Sequence, residues 1–285
     1  MSQSNFLKLV NPEIGFLPMN IEYAASLNLP FVAKDALSKE KGVVICGTAP
    51  SLVKAQSLRE IKRLQGLGYM IFAVKQAIRI LPEYDIIPDF SVAMDPSEKQ
   101  IKKTPLDPRV TYFVASSCHP RMFDYLLKGG ANVVVFHSAC GAATDNLCEM
   151  EIYAKFFPQN CSYESVASGG YTVVNRAIAL AEYMGAKRIH IAGAPFGWRE
   201  SEDYYAPTVE EPAGNASGPT LDDQGRVDGK KWFTKADLLP SALSVARKAK
   251  ASPGKFYFIG DSLAASLATK SHEFLERVVP SKSAA

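Results

Sequence analysis

The chain has 285 residues, of which 47% are hydrophobic and 21% charged. It is long enough to bury a core without disulfide or metal staples, and the composition excludes an intrinsically disordered chain. A net charge of +3 is too small to argue a nucleic-acid partner from charge, which leaves nucleic acid a weakly supported partner. No apolar run approaches the ~18 residues of a membrane span, and no basic start leads into an apolar stretch at the N-terminus. Five cysteines without a CxxC pair fit reduced thiols. The expectation is therefore a cytoplasmic protein with no membrane partner.

Pro12, Pro18 and Pro30 punctuate residues 1–40, where 20–27 is a candidate short helix. This stretch reads as an N-terminal arm. Residues 43–46 form an apolar run that stops at Gly47, the signal of a buried strand. Leu52, Ala55, Leu58, Ile61 and Leu64 recur at helical spacing, which predicts a helix over 51–66 with Ser51 as its N-cap. The alternation continues with a strand at 70–74, a short helix at 75–81 and a strand at 90–94. Strands at 110–115 and 132–137 flank a helix at 120–128. The strongest helix lies at 170–185, and strands at 188–192 and 255–259 flank a helix at 236–250. Strands alternating with helices imply right-handed crossovers and an α/β fold with a mostly parallel sheet flanked by helices. The main domain is expected over 41–279, followed by a disordered tail at 280–285. Residues 199–231 are polar and aperiodic, and a loop of that length in a compact domain is functional or disordered.

Parallel sheets bind ligands at the carboxyl ends of their strands, so the candidates are sought there. Gly47, Thr48, Ala49, Pro50 and Ser51 follow the first strand. Their amides would face an anion, or they form an ordinary strand-to-helix turn. Neither GxxxxGK[ST] nor GxGxxG is present. Asp95 ends the third strand and is a candidate for holding Mg2+ or a substrate hydroxyl; the alternative is a turn cap. Gly169 and Gly170 precede Thr172 at the start of the strongest helix. They allow close approach of a phosphate, or tight helix–sheet packing. Asp222 and Asp223 stand in the polar loop as further candidate metal ligands, where a solvated loop is the plainer reading. His119 follows a strand and occupies a rim position. His137 with Cys140 and Cys148 matches no zinc template, and the absence of GxSxG disfavours a serine hydrolase.

Three segments together resemble the MptE-like family: VVICGTAPSL, IIPDFSVAMDPS and ASGGYTVVNRAIALAEYMGAKRIHIAGAPF. Downstream, GRVDGKKWFTKADLLPSALSVA is similar to the family's closing loop and helix, and FYFIGDSLAASL to the end of phage-type members. The resemblance runs from about Lys41 to Leu267. It implies a Rossmann-like fold and a nucleotide-dependent transferase. The family includes 6-hydroxymethyl-7,8-dihydropterin pyrophosphokinases and motility-accessory glycosyltransferases, and its motifs are similar to those of CMP-sialic acid-dependent sialyltransferases.

Carried over by position, Gly47, Pro50, Ser51 and Leu52 match the first motif and would lie near nucleotide phosphates. Asp89 and Asp95 match the second, and Gly169 and Gly170 the third. Ala49 departs from the usual second glycine, and Ala194 from the usual aspartate after Gly193. Lys75 stands where an asparagine is common, and would meet a phosphate as a point charge. The first implied activity is Mg-ATP-dependent diphosphoryl transfer to a hydroxymethyl heterocycle, with Mg2+ on Asp95 and Asp222 or Asp223. The alternative is glycosyl transfer from a CMP- or NDP-sugar, with His119 or Asp95 as base and a glycan, small molecule or modified nucleobase as acceptor. Ala49 and Ala194 motivate a third reading, a non-catalytic nucleotide-binding protein.

Overall fold

The structure, a computed structural model, describes residues 17–37, 42–138, 143–162, 164–167, 170, 172–198, 220–221, 232–234 and 238–271. In chain order, helix α1 (Leu17–Ser26) is followed by strand β1 (Val43–Cys46), helix α2 (Ala55–Gly66), β2 (Met70–Val74) and the short α3 (Ala77–Ile80). Strands β3 (Phe90–Ala93) and β4 (Thr111–Ala115) come next, then α4 (Pro120–Lys128), β5 (Asn132–Ser138), α5 (Ala143–Phe156) and β6 (Val166–Ala167). The chain continues through α6 (Val173–Tyr183), β7 (Ile189–Ala192), β8 (Thr220–Leu221) and β9 (Trp232–Phe233). It then forms α7 (Leu238–Ala251), β10 (Phe256–Ile259) and α8 (Leu263–Ala268).

Eight strands make one sheet in the order β10-β7-β1-β2-β3-β4-β5-β6, and every pairing in it is parallel. The α/β architecture expected from the alternating pattern is therefore present. Central strands buried on both faces need continuous apolar runs, and all four residues of β1 are buried. Helix α6 lies across β1, β2 and β3, with Ala177, Ile178, Leu180 and Ala181 in the core. Strands β1 to β6 extend the sheet in one direction. Strands β7 and β10 are added on the other side of β1, so the winding reverses between β1 and β7. Such a switch point opens a crevice at the carboxyl ends of the two strands.

Residues 17–37 pack closely on this frame. α1 lies on α4 and α5. Phe31 bridges Val135 of β5, through Val32 N–H to Val135 O at 2.9 Å and Val135 N–H to Pro30 O at 2.8 Å. The predicted helix over 51–66 needs correction. Pro50–Val53 is a separate 3₁₀ turn, Lys54 has extended dihedrals (φ −63°, ψ 134°), and α2 starts only at Ala55. Ser51 is thus inside the tight turn and is not an N-cap. Leu52, buried completely, anchors that turn in the core. The helix predicted over 170–185 begins at Val173, after its Thr172 cap. The tail 280–285 lies outside the described residues.

Candidate functional site

The crevice between β1 and β7 is built backbone against backbone. Gly47 N–H donates to Ala192 O at 2.8 Å, and Ala49 N–H to Gly193 O at 3.0 Å. A Cβ on Gly47 would lie 2.4 Å from the carbonyl oxygen of Gly193. A Cβ on Gly193, whose φ is 60°, would lie 2.7 Å from the oxygen of Gly47. The two loops can approach this closely because neither residue carries a side chain. Thr48 and Pro50 are half-buried and Ser51 is buried beside them.

The loop after β7 is held rigidly. Pro195 O accepts from Leu263 N–H at 2.8 Å. Phe196 is buried in a left-handed conformation (φ 59°), a costly geometry for a bulky residue that surrounding packing must enforce. Its carbonyl accepts from the Thr234 hydroxyl at 2.8 Å. Trp198 and Phe233 then exchange two backbone hydrogen bonds, at 2.9 and 2.8 Å, joining the residues on either side of the long polar segment. Asp222 and Asp223 fall in that segment, outside the described residues.

On the β2 side, Lys75 is exposed with φ 52°, directly after the strand. Gln76 follows, 3% exposed, and its buried Oε1 has no hydrogen-bond partner. On the β6 side, Thr172 caps α6: its Oγ1 accepts from Asn175 N–H at 3.4 Å and donates to Asn175 Oδ1 at 2.6 Å. Asn175 Nδ2 donates to Ser241 O. A Cβ on Gly170 would sit 2.4 Å from the Asn175 side chain, so this glycine serves the packing of that asparagine. Gly169 lies outside the described residues. Arg176, in the first turn of α6, is 2% exposed. Asn175 and Arg176 were not singled out in the sequence, although two polar residues inside the apolar run VVNRAIAL are a visible signal.

Asp95 follows β3. Its Oδ1 accepts from Ser97 N–H at 2.9 Å and its Oδ2 from Gln100 Nε2 at 2.8 Å. Among the described residues no three His, Cys, Asp or Glu side chains gather into a metal-holding group. Mg2+ is held by one or two carboxylates together with substrate phosphates, and Asp95 keeps lone pairs beyond these two bonds, so it could serve as one such ligand. Asp89 sits at the opposite end of β3, where it accepts from Ile71 N–H at 2.7 Å and ties β3 to β2 inside the sheet.

His119 occupies the N-cap of α4, its Nδ1 accepting from Arg121 N–H at 3.2 Å. In that arrangement the neutral ring carries its proton on Nε2, where it can donate. His137 is completely buried, with Nδ1 2.9 Å from the Ser116 hydroxyl. It stacks on Tyr153 (4.2 Å between ring centres), and burial pushes its pKa down to about 3. Burial also pushes the Cys46 thiol, at the end of β1, far above its ordinary range, which leaves it unreactive.

The sequence profile described as 6-hydroxymethylpterin diphosphokinase MptE-like matches residues 20–201, more than half of the chain. No curated protein matches at significant similarity. A solved structure of a Maf glycosyltransferase from Magnetospirillum magneticum AMB-1 is similar to this chain, with a TM-score of 0.56 at 16% identity. The match covers 92% of this chain and 41% of that one, so this chain spans less than half the length of that relative. At that identity the likeness is one of fold. No described helix is long and apolar enough to cross a membrane.

Proposed function

The chain belongs to the MptE-like family, and from that premise we propose that it is a transferase that takes its donor from a nucleotide. The observation that carries this reading is the switch-point crevice. Paired Gly47 and Gly193 bring the β1 and β7 loops together at the place where open parallel sheets bind nucleotides. The donor phosphates would lie along residues 47–51, with Lys75 supplying positive charge from the β2 end.

The group transferred is proposed to be a glycosyl group, from a CMP- or NDP-sugar to an acceptor hydroxyl above β3 and β4. The likeness of fold to the Maf glycosyltransferase, over 92% of this chain, supports this reading. Asp95 keeps lone pairs beyond its two hydrogen bonds and would accept the acceptor's proton. His119, with its proton on Nε2, would orient the acceptor by donating a hydrogen bond. Diphosphoryl transfer from ATP to a hydroxymethyl heterocycle is the second reading, supported by the family description.

Thermal shift with CMP, UDP, GDP and ATP, each with and without Mg2+, separates the readings. A ligand at 100 times its Kd adds about 2.7 kcal/mol. Stabilisation by CMP or UDP without Mg2+ supports glycosyl transfer. A shift by ATP that requires Mg2+ supports diphosphoryl transfer. No shift with any nucleotide refutes both.

A further inference from the structure

The loop that follows β10, residues 260–262, lies beyond residues 20–201 that the family profile matches, and no step above uses it. Gly260 has a φ of 86°, and a Cβ there would meet Ser57 Oγ at 3.6 Å and the Cβ of Ser51 at 3.7 Å. The loop therefore lies directly on the 3₁₀ turn after β1 and the start of α2. The next helix is tied to the β7 loop by Leu263 N–H to Pro195 O. Loops from β1, β7 and β10 thus converge at one side of the crevice.

Three serines lie on the segments that meet there: Ser51 and Ser57 against Gly260, and Ser262 two residues further on. Ser57 is 2% exposed and Ser51 9%. Ser262, two residues past Gly260, is 5% exposed, and its buried Oγ has no hydrogen-bond partner. It stands at the N-cap position of α8 yet makes no capping bond. An unpaired buried hydroxyl costs folding free energy, so its retention calls for a partner other than the protein. Asp261 between Gly260 and Ser262 is exposed. Hydroxyls donate without adding charge and bond most strongly to an anionic oxygen.

We propose that Ser57 and Ser262, together with Ser51, form a subsite for a phosphate oxygen of the nucleotide donor. This rests on the nucleotide-dependent reading above. It makes the β10 loop, beyond the residues that the family profile matches, part of the donor site.

The test compares the wild-type chain with Ser262→Ala and with Ser57→Ala/Ser262→Ala. CMP, UDP and ADP are titrated by calorimetry alongside cytidine, uridine and adenosine, and the Tm of each variant is measured. Nucleotide affinity is expected to fall about tenfold for each hydroxyl removed. The Tm of Ser262→Ala is expected to hold or rise, because an unsatisfied hydroxyl has been deleted. Nucleoside affinity is expected to stay unchanged. Wild-type chain that binds no nucleotide overturns both the transferase reading and the subsite. Wild-type binding with unaltered affinity in the variants overturns the subsite alone. So does an equal loss for nucleotides and nucleosides. Ser262→Ala alone carries the test if the double variant does not fold.

Discussion

Replacing Gly47 with alanine tests whether the crevice is a backbone-to-backbone contact. The added Cβ would lie 2.4 Å from Gly193 O and 3.0 Å from its carbonyl carbon, against rigid backbone. Real Cβ atoms essentially never approach within 3.0 Å, so the two loops must part by more than half an ångström. Overpacking of this kind costs about 1–3 kcal/mol. The bonds Gly47 N–H to Ala192 O and Ala49 N–H to Gly193 O are strained by the same movement, at roughly 1 kcal/mol each. The expected loss is about 3–5 kcal/mol, or roughly 6–20 °C in Tm for a domain of this size. Nucleotide-induced stabilisation should disappear with it. Gly66→Ala is the control: a Cβ there meets nothing within 4 Å, and alanine in a helix is expected to raise stability by about 0.5–1 kcal/mol. Urea and thermal unfolding of both variants, with and without CMP, provide the assay. A Gly47→Ala protein with wild-type Tm and wild-type nucleotide affinity would refute the reasoning.

Lys75→Gly is expected to stabilise the fold by about 0.5–1 kcal/mol, because glycine relieves the left-handed backbone, while nucleotide binding weakens. Stabilisation without any change in binding would remove Lys75 from the site. His137, held neutral to about pH 3 by burial, takes a proton in the unfolded chain near pH 6.5. Between those values the unfolded state binds more protons, so stability falls as pH falls, by about 1.4 kcal/mol per unit. His137→Phe should show a shallower decline between about pH 6 and 4, and equal slopes in urea unfolding would contradict this. Burial raises the Glu182 carboxyl, but bonds from Lys248 and Lys255 outweigh it and hold the group below its ordinary value. This contribution is present above the unfolded carboxylate pKa and is lost as pH falls through the folded one. Glu182→Gln should cost about 1–2 kcal/mol at neutral pH, and little near pH 3, by chemical denaturation.

The parallel sheet was legible because its central strands are written as unbroken apolar runs. Residues 43–46, 70–74 and 132–137 each correspond to a strand within a residue of the predicted limits. Strand β6 and the β8–β9 pair, two residues per strand, are too short to show any period. Helix α5 was not read, and α8 spans only six residues. The turn after β1 misled in a specific way: Leu52 keeps helical spacing with Ala55 and Leu58, but its burial draws the chain into a tighter turn first. At the site, Gly47, Pro50, Lys75, Asp95, His119 and Thr172 were read correctly as residues that follow strands or start helices, while Ser51 lies inside a 3₁₀ turn and not at a helix cap. Their partners were not readable, because contacts such as Gly47 with Gly193 join residues far apart in the chain. Asp89 and Asp95 lie in one motif, yet they stand at opposite ends of β3.

The two backbone bonds between Trp198 and Phe233 have a consequence for how this molecule can be altered. They fix the entry and exit of an excursion at adjacent points, much as a buckle fixes the two ends of a strap. The entropy of closing a flexible loop grows only logarithmically, so doubling its length costs about 0.6 kcal/mol. A change of length between Trp198 and Thr220 is therefore expected to cost the eight parallel strands little, whereas loss of Thr220 and Leu221 would remove the β8–β9 pairing. The joined ends at Trp198 and Phe233 are thus a natural point at which to graft foreign sequence after β7.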